Sequence, residues 1–103
     1  MRSIFSFLPL AVIAYGQTFD IQIPIGASTL DHIPLLGFGT WNFDKSNATE
    51  AVSYALTTGY RHIDCAAAYS NEDRVGKGIA DGLKKAGLQR QDIWVTSKLW
   101  NDQ

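Results

Sequence analysis

The sequence predicts an α/β fold built on a parallel sheet and headed by a β-hairpin. Three observations predict it. Short apolar runs at residues 35–41, 62–67 and 93–99 are apolar on both faces, as in buried parallel strands. Two segments with helical periodicity separate those runs. An alternating segment and a turn signal come before the first run. Strands alternating with short helices imply right-handed crossovers in one sheet.

Each element follows from local chemistry. Phe19-Asp20-Ile21-Gln22-Ile23 alternates apolar and polar residues, the mark of a half-buried strand. Gly26-Ala27-Ser28 is a turn signal, and residues 29–33 pair back as a hairpin. Pro34 opens the apolar strand Leu35-Leu36-Gly37-Phe38-Gly39-Thr40-Trp41. Ser46 or Asn47 caps a first helix, and Asn47 with Glu50 resembles a capping box. Ala48, Val52, Ala55 and Leu56 share one face of it, and Gly59 ends it. The second strand runs over 62–67. Asn71, Glu72 and Asp73 begin the second helix, with acids at its positive end. Val75, Ile79 and Leu83 form its inward stripe, Lys84 and Lys85 suit its negative end, and Gly87 stops it. The third strand runs over 93–99.

Two architectures fit this order, a doubly wound sheet and a β/α barrel. Gly37-Phe38-Gly39 is followed by Asn42 and not by a third glycine that opens a helix. That weakens the dinucleotide-binding doubly wound reading. A hairpin ahead of the first parallel strand suits a barrel with a plugged bottom.

The 103 residues are 46% hydrophobic and 18% charged, with a net charge of -1, which describes ordinary globular material. No basic stripe points to nucleic acid. The N-terminus differs from the rest. Met1-Arg2-Ser3 is followed by an almost wholly apolar run from Ile4 to Ala14, and Ala14-Tyr15-Gly16 places small residues at a cleavage site. This is the pattern of a secretory signal peptide over 1–16, cleaved after Gly16. The run is too short to span a bilayer, so no membrane segment is expected in the mature form. A cytoplasmic chain with a buried N-terminal helix is the alternative. Cys65 is the only cysteine, so no internal disulfide forms, and an inert core thiol is expected there. Asn47-Ala48-Thr49 is a glycosylation sequon.

In a parallel β/α fold, reactive side chains sit at the C-terminal ends of strands and in the loops that follow. Trp41, Asp64, Tyr69 and Lys98 all fall there. A lysine closing an apolar strand is costly unless paired, and Asp64 on the neighbouring strand is the obvious partner. An ammonium beside a phenol favours the phenolate and makes the phenol a better acid toward a carbonyl oxygen that gains charge. Such a trio needs a separate reductant, and a nicotinamide cofactor is the usual one. Spacing alone leaves blander readings open. Asp64 and Lys98 also suit a structural pair, Tyr69 a plain loop aromatic, and His62 a packed or surface histidine. Trp94 and Trp100 suit core and rim aromatics. No metal cluster is expected.

Gly59-Tyr60-Arg61-His62-Ile63-Asp64-Cys65-Ala66, then Glu72, then Val75-Gly76, resembles the signature of the aldo-keto reductases. IPLLGFGTW before it and IWVTSKLWN after it resemble the first and third barrel strands of the same family. The likeness runs from about Phe19 to Gln103. It implies the N-terminal part of a (β/α)8 TIM barrel with a leading hairpin and three barrel strands. It also implies reduction of an aldehyde or ketone to an alcohol with NADP(H), as in the NADP-dependent alcohol dehydrogenases and aldehyde reductases. The substrate is then a small carbonyl compound. Tyr69 matches the family's proton donor, and Lys98 and Asp64 the residues that tune it. Gly39, Thr40, Trp41 and Asp64 match the cofactor side of the site, with Thr40 and Trp41 beside the nicotinamide and the substrate. The family's active-site histidine, later strands, substrate loops and 2′-phosphate site lie further along than Gln103. The expectation is therefore a truncated oxidoreductase domain over 17–103, inactive alone, with a non-enzymatic fragment or small α/β binding module as the alternative.

Overall fold

The computed structural model describes residues 22–25 and 32–101. Residues 1–16, expected from the sequence to be a signal peptide, residues 17–21 and the Gly26-Ala27-Ser28 turn lie outside the described residues. A short antiparallel ribbon comes first, with β1 (Gln22–Pro24) against β2 (His32–Pro34) and Ile23 opposite Ile33. The parallel sheet is β3 (Phe38–Gly39), β4 (His62–Asp64) and β5 (Trp94–Thr96), in the order β3-β4-β5. Helix α1 (Lys45–Thr57) connects β3 to β4, and α2 (Glu72–Ala86) connects β4 to β5.

The parallel ladder outruns the named strands. Thr40 N–H donates to Asp64 O at 3.0 Å, Cys65 N–H to Thr96 O at 2.8 Å and Ala67 N–H to Lys98 O at 3.2 Å. These bonds carry Thr40, Cys65 and Lys98 to one end of the sheet in fixed register. At the other end, the Trp94 indole N–H donates to His32 O at 2.7 Å. His62 Nδ1 meets Pro34 O at 3.2 Å, and its Nε2 meets Thr96 Oγ1 at 2.8 Å. A carbonyl only accepts, so Nδ1 donates to Pro34 O, while Nε2 pairs with the Thr96 hydroxyl. His62 is thus a packed histidine that latches β2 to the sheet. Gly37 lets it approach, since a Cβ there would lie 3.0 Å from Nδ1.

The core joins the two helices to one face of the sheet. Val52, Leu56, Ile63, Cys65, Val75 and Ile93 are buried together, with Phe38, Ile79, Leu83, Leu88 and Val95 packed against them. Ala48, Val52, Ala55 and Leu56 of α1 are all buried, as the periodicity predicts. On α2 the deepest residues are Val75, Gly78 and Gly82, while Ile79 and Leu83 are half-buried at the core margin. The glycines set this arrangement. A Cβ on Gly78 would lie 2.6 Å from Thr49 O, and one on Gly82 2.8 Å from Leu56 Cδ1. The missing side chains let the two helices touch backbone to backbone.

The helix ends differ in part from the expected caps. Asp44 is the N-cap of α1, and its carbonyl accepts from Asn47 N–H and Ala48 N–H at 2.9 and 3.0 Å, with no side-chain cap. Ser46 and Asn47 lie inside the first turn, so the capping box centred on Asn47 does not form. At the other end, Gly59 takes φ 113 and turns the chain. The Arg61 guanidinium donates to Leu56 O at 3.0 Å, satisfying a carbonyl at the negative end of α1. Gly87 ends α2 in the left-handed region at φ 67, and Leu88 N–H reaches back to Leu83 O at 2.9 Å.

Candidate active site

Strand register brings the predicted trio together. Asp64 is the last residue of β4 and Lys98 follows β5 by two residues. Tyr69 closes a single 3₁₀ turn over Ala67–Tyr69 that follows β4. Its exit is sharp because Ser70 sits in the left-handed region at φ 53.

Lys98 Nζ has three partners: Asp64 Oδ1 at 2.7 Å, Cys65 O at 3.1 Å and Tyr69 Oη at 3.4 Å. An ammonium has three hydrogens, so each is directed. The Nζ also lies 5.3 Å from the Tyr69 ring centroid. The Asp64 carboxylate holds Lys98 charged above its ordinary value of 10.5; partial desolvation opposes this, and the Tyr69 contact adds to it. The Lys98 and Asp64 side chains are 48% and 35% exposed, so the pair stands at an open mouth. The phenol oxygen accepts from Lys98, which leaves its own proton free to be donated outward.

Gly39 pairs with Asp64 in the register and is open: a Cβ there would meet nothing within 4 Å. Thr40 is fully buried. Its N–H and its hydroxyl both donate to Asp64 O, each at 3.0 Å, so its hydroxyl holds Asp64 from behind and does not face the mouth. Trp41 is 69% exposed at the next position, and Trp100 is exposed beyond Lys98. Trp94 is turned to the opposite end, where it meets the hairpin.

Cys65 is buried behind Asp64 and its thiol donates to Thr96 O at 3.2 Å. Burial pushes the thiol up from its ordinary value of 9.0, partly countered by a hydrogen bond from Ser97 and reinforced by the Glu72 charge. Ser97 Oγ donates to Glu72 Oε1 at 2.5 Å, tying the end of β5 to the start of α2.

Sequence reasoning missed one residue. Asn71 reads as a helix-start residue, and it is the N-cap of α2, but its side chain makes no bond to its own helix. It is 1% exposed, and Nδ2 donates instead to Thr40 O at 3.0 Å and Phe43 O at 3.2 Å. An asparagine directly after a left-handed serine is the only local signal, and it does not reveal a partner 31 residues away.

The chain matches the model of the aldo/keto reductase family over residues 35–103. Aldo-keto reductase family 1 member A1 of Gallus gallus is 54% identical over 71 residues, covering 67% of this chain and 21% of that protein. An uncharacterized oxidoreductase of Schizosaccharomyces pombe is 57% identical over 68 residues, covering 66% and 20%. Among solved structures, the Bombyx mori aldo-keto reductase in complex with NADP superposes with a TM-score of 0.65 at 38% identity, over 70% of this chain and 25% of that one. The aldose reductase of Giardia lamblia gives 0.63 at 49% identity, over 67% and 23%. This chain spans about a fifth of the length of the curated relatives it matches. Its described strands and helices are the N-terminal part of a (β/α)8 barrel. The residues at its mouth lie within the matched range, and the chain belongs to the aldo/keto reductase family.

Proposed function

We propose that this chain carries the proton-donor part of an NADP(H)-dependent carbonyl reductase site. Tyr69 is the acid, Lys98 its charged partner and Asp64 the group that orients Lys98. The observation that carries the reading is the three-way contact at Lys98 Nζ. The donor set fits a separate reductant: phenol, ammonium and carboxylate can move a proton and balance charge, but none of them supplies electrons. Beside them stand an open backbone at Gly39 and an exposed indole at Trp41. Gly39, Thr40, Trp41 and Asp64 would hold the nicotinamide, Thr40 through its grip on Asp64, and the exposed Trp41 would border the substrate as well. When bound, the reduced nicotinamide supplies the hydride for the carbonyl carbon. Tyr69 gives its hydroxyl proton to the carbonyl oxygen as that oxygen gains charge. Lys98 then balances the phenolate, and Asp64 keeps the ammonium in place. General acid assistance of this kind is worth roughly 10²–10⁴-fold. Its substrate is a small aldehyde or ketone.

The 103 residues alone are proposed to be inactive. A β/α barrel typically takes about 250 residues and eight strands. The described sheet holds three, and Leu35, Leu36, Leu99 and Trp100 are exposed on it and around it. Wet apolar surface forfeits about 25 cal/mol per Å², against a backbone ordering cost of about 1–2 kcal/mol per residue. Unpaired strand edges also favour aggregation. The test compares two proteins in an NADPH-oxidation assay with an aromatic aldehyde. One is the purified chain. The other is a graft in which residues 35–103 replace the matching segment of the chicken relative. Turnover by the graft and none by the chain supports the reading. The exposed Trp41, Leu99 and Trp100 favour a second reading, a small α/β binding module. A cooperative, monomeric melt of the chain, with no turnover in the graft, would support that one instead.

A further inference from the structure

Two stretches of backbone flank the mouth, and each holds a non-glycine residue in the left-handed region. Asn42, directly after Trp41, has φ 64, and Ser70, directly after Tyr69, has φ 53. Such residues persist only where their surroundings over-determine them. Asn71 stands between the two. Its amide nitrogen donates to Thr40 O and Phe43 O, the carbonyls on either side of Trp41 and Asn42. Phe43 N–H closes the same turn on Thr40 O at 3.5 Å.

The chemistry demands an amide here. Two carbonyls facing one atom need two N–H donors on that atom, and among side chains of this length only asparagine supplies them. An aspartate would set an acceptor against two acceptors. The arrangement also leaves Asn71 Oδ1 buried with no partner. A buried acceptor without a partner opposes stability, so stability alone does not account for the residue. What the amide achieves is a fixed link between the loop that carries Trp41 and the turn that carries Tyr69.

We infer that Asn71 is a positioning residue that sets the gap between Trp41 and Tyr69, and with it the fit of the carbonyl substrate. The inference rests on the reductase reading above. It makes Asn71 act through Trp41 and not on the reacting atoms.

The test places Asn71→Ala and Asn71→Asp in the graft, each with Trp41 intact and with Trp41→Ala. Two quantities are read: hydrogen exchange of the amides over 40–44, and KM and kcat for an aromatic aldehyde. Both Asn71 variants should speed exchange over 40–44 and leave α1 unchanged. Both should raise KM about fivefold, the worth of roughly one lost hydrogen bond, with kcat held. In the Trp41→Ala background they should raise KM no further. Unchanged exchange over 40–44 overturns the inference. So does faster exchange with no change in KM, or an equal KM rise in both Trp41 backgrounds. Turnover that survives Tyr69→Phe would remove the reductase reading instead, and the exchange data would still decide whether Asn71 holds the loop.

Discussion

Lys98 Nζ lies 2.7 Å from Asp64 Oδ1 across neighbouring parallel strands, the two residues standing 34 positions apart in the chain. Half-exposed ion pairs contribute only about 0.2–1 kcal/mol, so the pair adds little to stability. What it fixes is the charge and direction of an ammonium 3.4 Å from the Tyr69 hydroxyl.

The first prediction follows from that pairing. Asp64 raises the Lys98 value above 10.5. The folded value is the raised one, so the pair is fully formed below the ordinary lysine value and is lost as pH rises through the higher folded value. The Lys98 amine of the graft, followed by the NMR shift of its side chain, should therefore titrate above pH 10.5. Asp64→Asn should draw that titration downward. A Lys98 titration that Asp64→Asn leaves in place would show that the carboxylate does not hold the ammonium charged.

The helix contact makes a stability prediction. Gly78→Ala sets a methyl 2.6 Å from the Thr49 carbonyl oxygen, and Gly82→Ala sets one 2.8 Å from Leu56 Cδ1. Overpacking costs about 1–3 kcal/mol, more than the roughly 1 kcal/mol that alanine gains over glycine in a helix. Both changes should lower the denaturant midpoint of the graft. Gly76→Ala on the same helix meets nothing within 4 Å and should be neutral or stabilising. Equal effects at the three positions would refute the close contact.

Cys65 gives a reactivity prediction. Burial raises its value above 9.0. The thiol therefore stays neutral at pH 8, and native protein should react with iodoacetamide far more slowly than protein in urea. Because the folded value is the higher one, the unfolded chain ionises first, and stability should fall as pH climbs past 9.0. Alkylation at the same rate in both states would show that the thiol is not sealed behind Asp64.

Much of this was legible in the sequence, and most of what was missed has one cause. Periodicity is a local signal, and it located α1, α2 and the three parallel strands. The positions of Asp64 and Lys98 at strand ends followed from the same pattern. Long-range contacts carry no such local mark. The helical pattern does not single out Gly78 and Gly82, and only the approach of α1 explains them. Asn71 read only as a residue that begins the second helix, while its amide bonds a loop 31 residues back. Thr40 matched a cofactor contact by motif, yet its hydroxyl turns inward to Asp64. The cap of α1 fell on Asp44, and not on Ser46 or Asn47, because the backbone turns two to three residues earlier than the side-chain pattern suggests.

Processing is open to a direct check. The N-terminal pattern supports secretion, with cleavage after Gly16 and Gln17 as the new N-terminus. Asn47 is exposed in the first turn of α1 and available to a glycan. Mass spectrometry of protein made in a secreting eukaryotic host should find no peptide from residues 1–16, and peptide N-glycosidase should lower the mass. An intact Met1 peptide in the soluble cytoplasmic fraction would reverse the proposal.

The most direct test of the central claim is the turnover of the graft with and without the Tyr69 hydroxyl. Tyr69→Phe keeps the ring beside Lys98 and removes only the proton that the reaction needs. The account predicts that kcat falls by about 10²-fold or more, while NADPH binding, read by the change in cofactor fluorescence, is unchanged. Turnover within a few-fold of the unmodified graft would contradict it and take the proton-donor role from Tyr69.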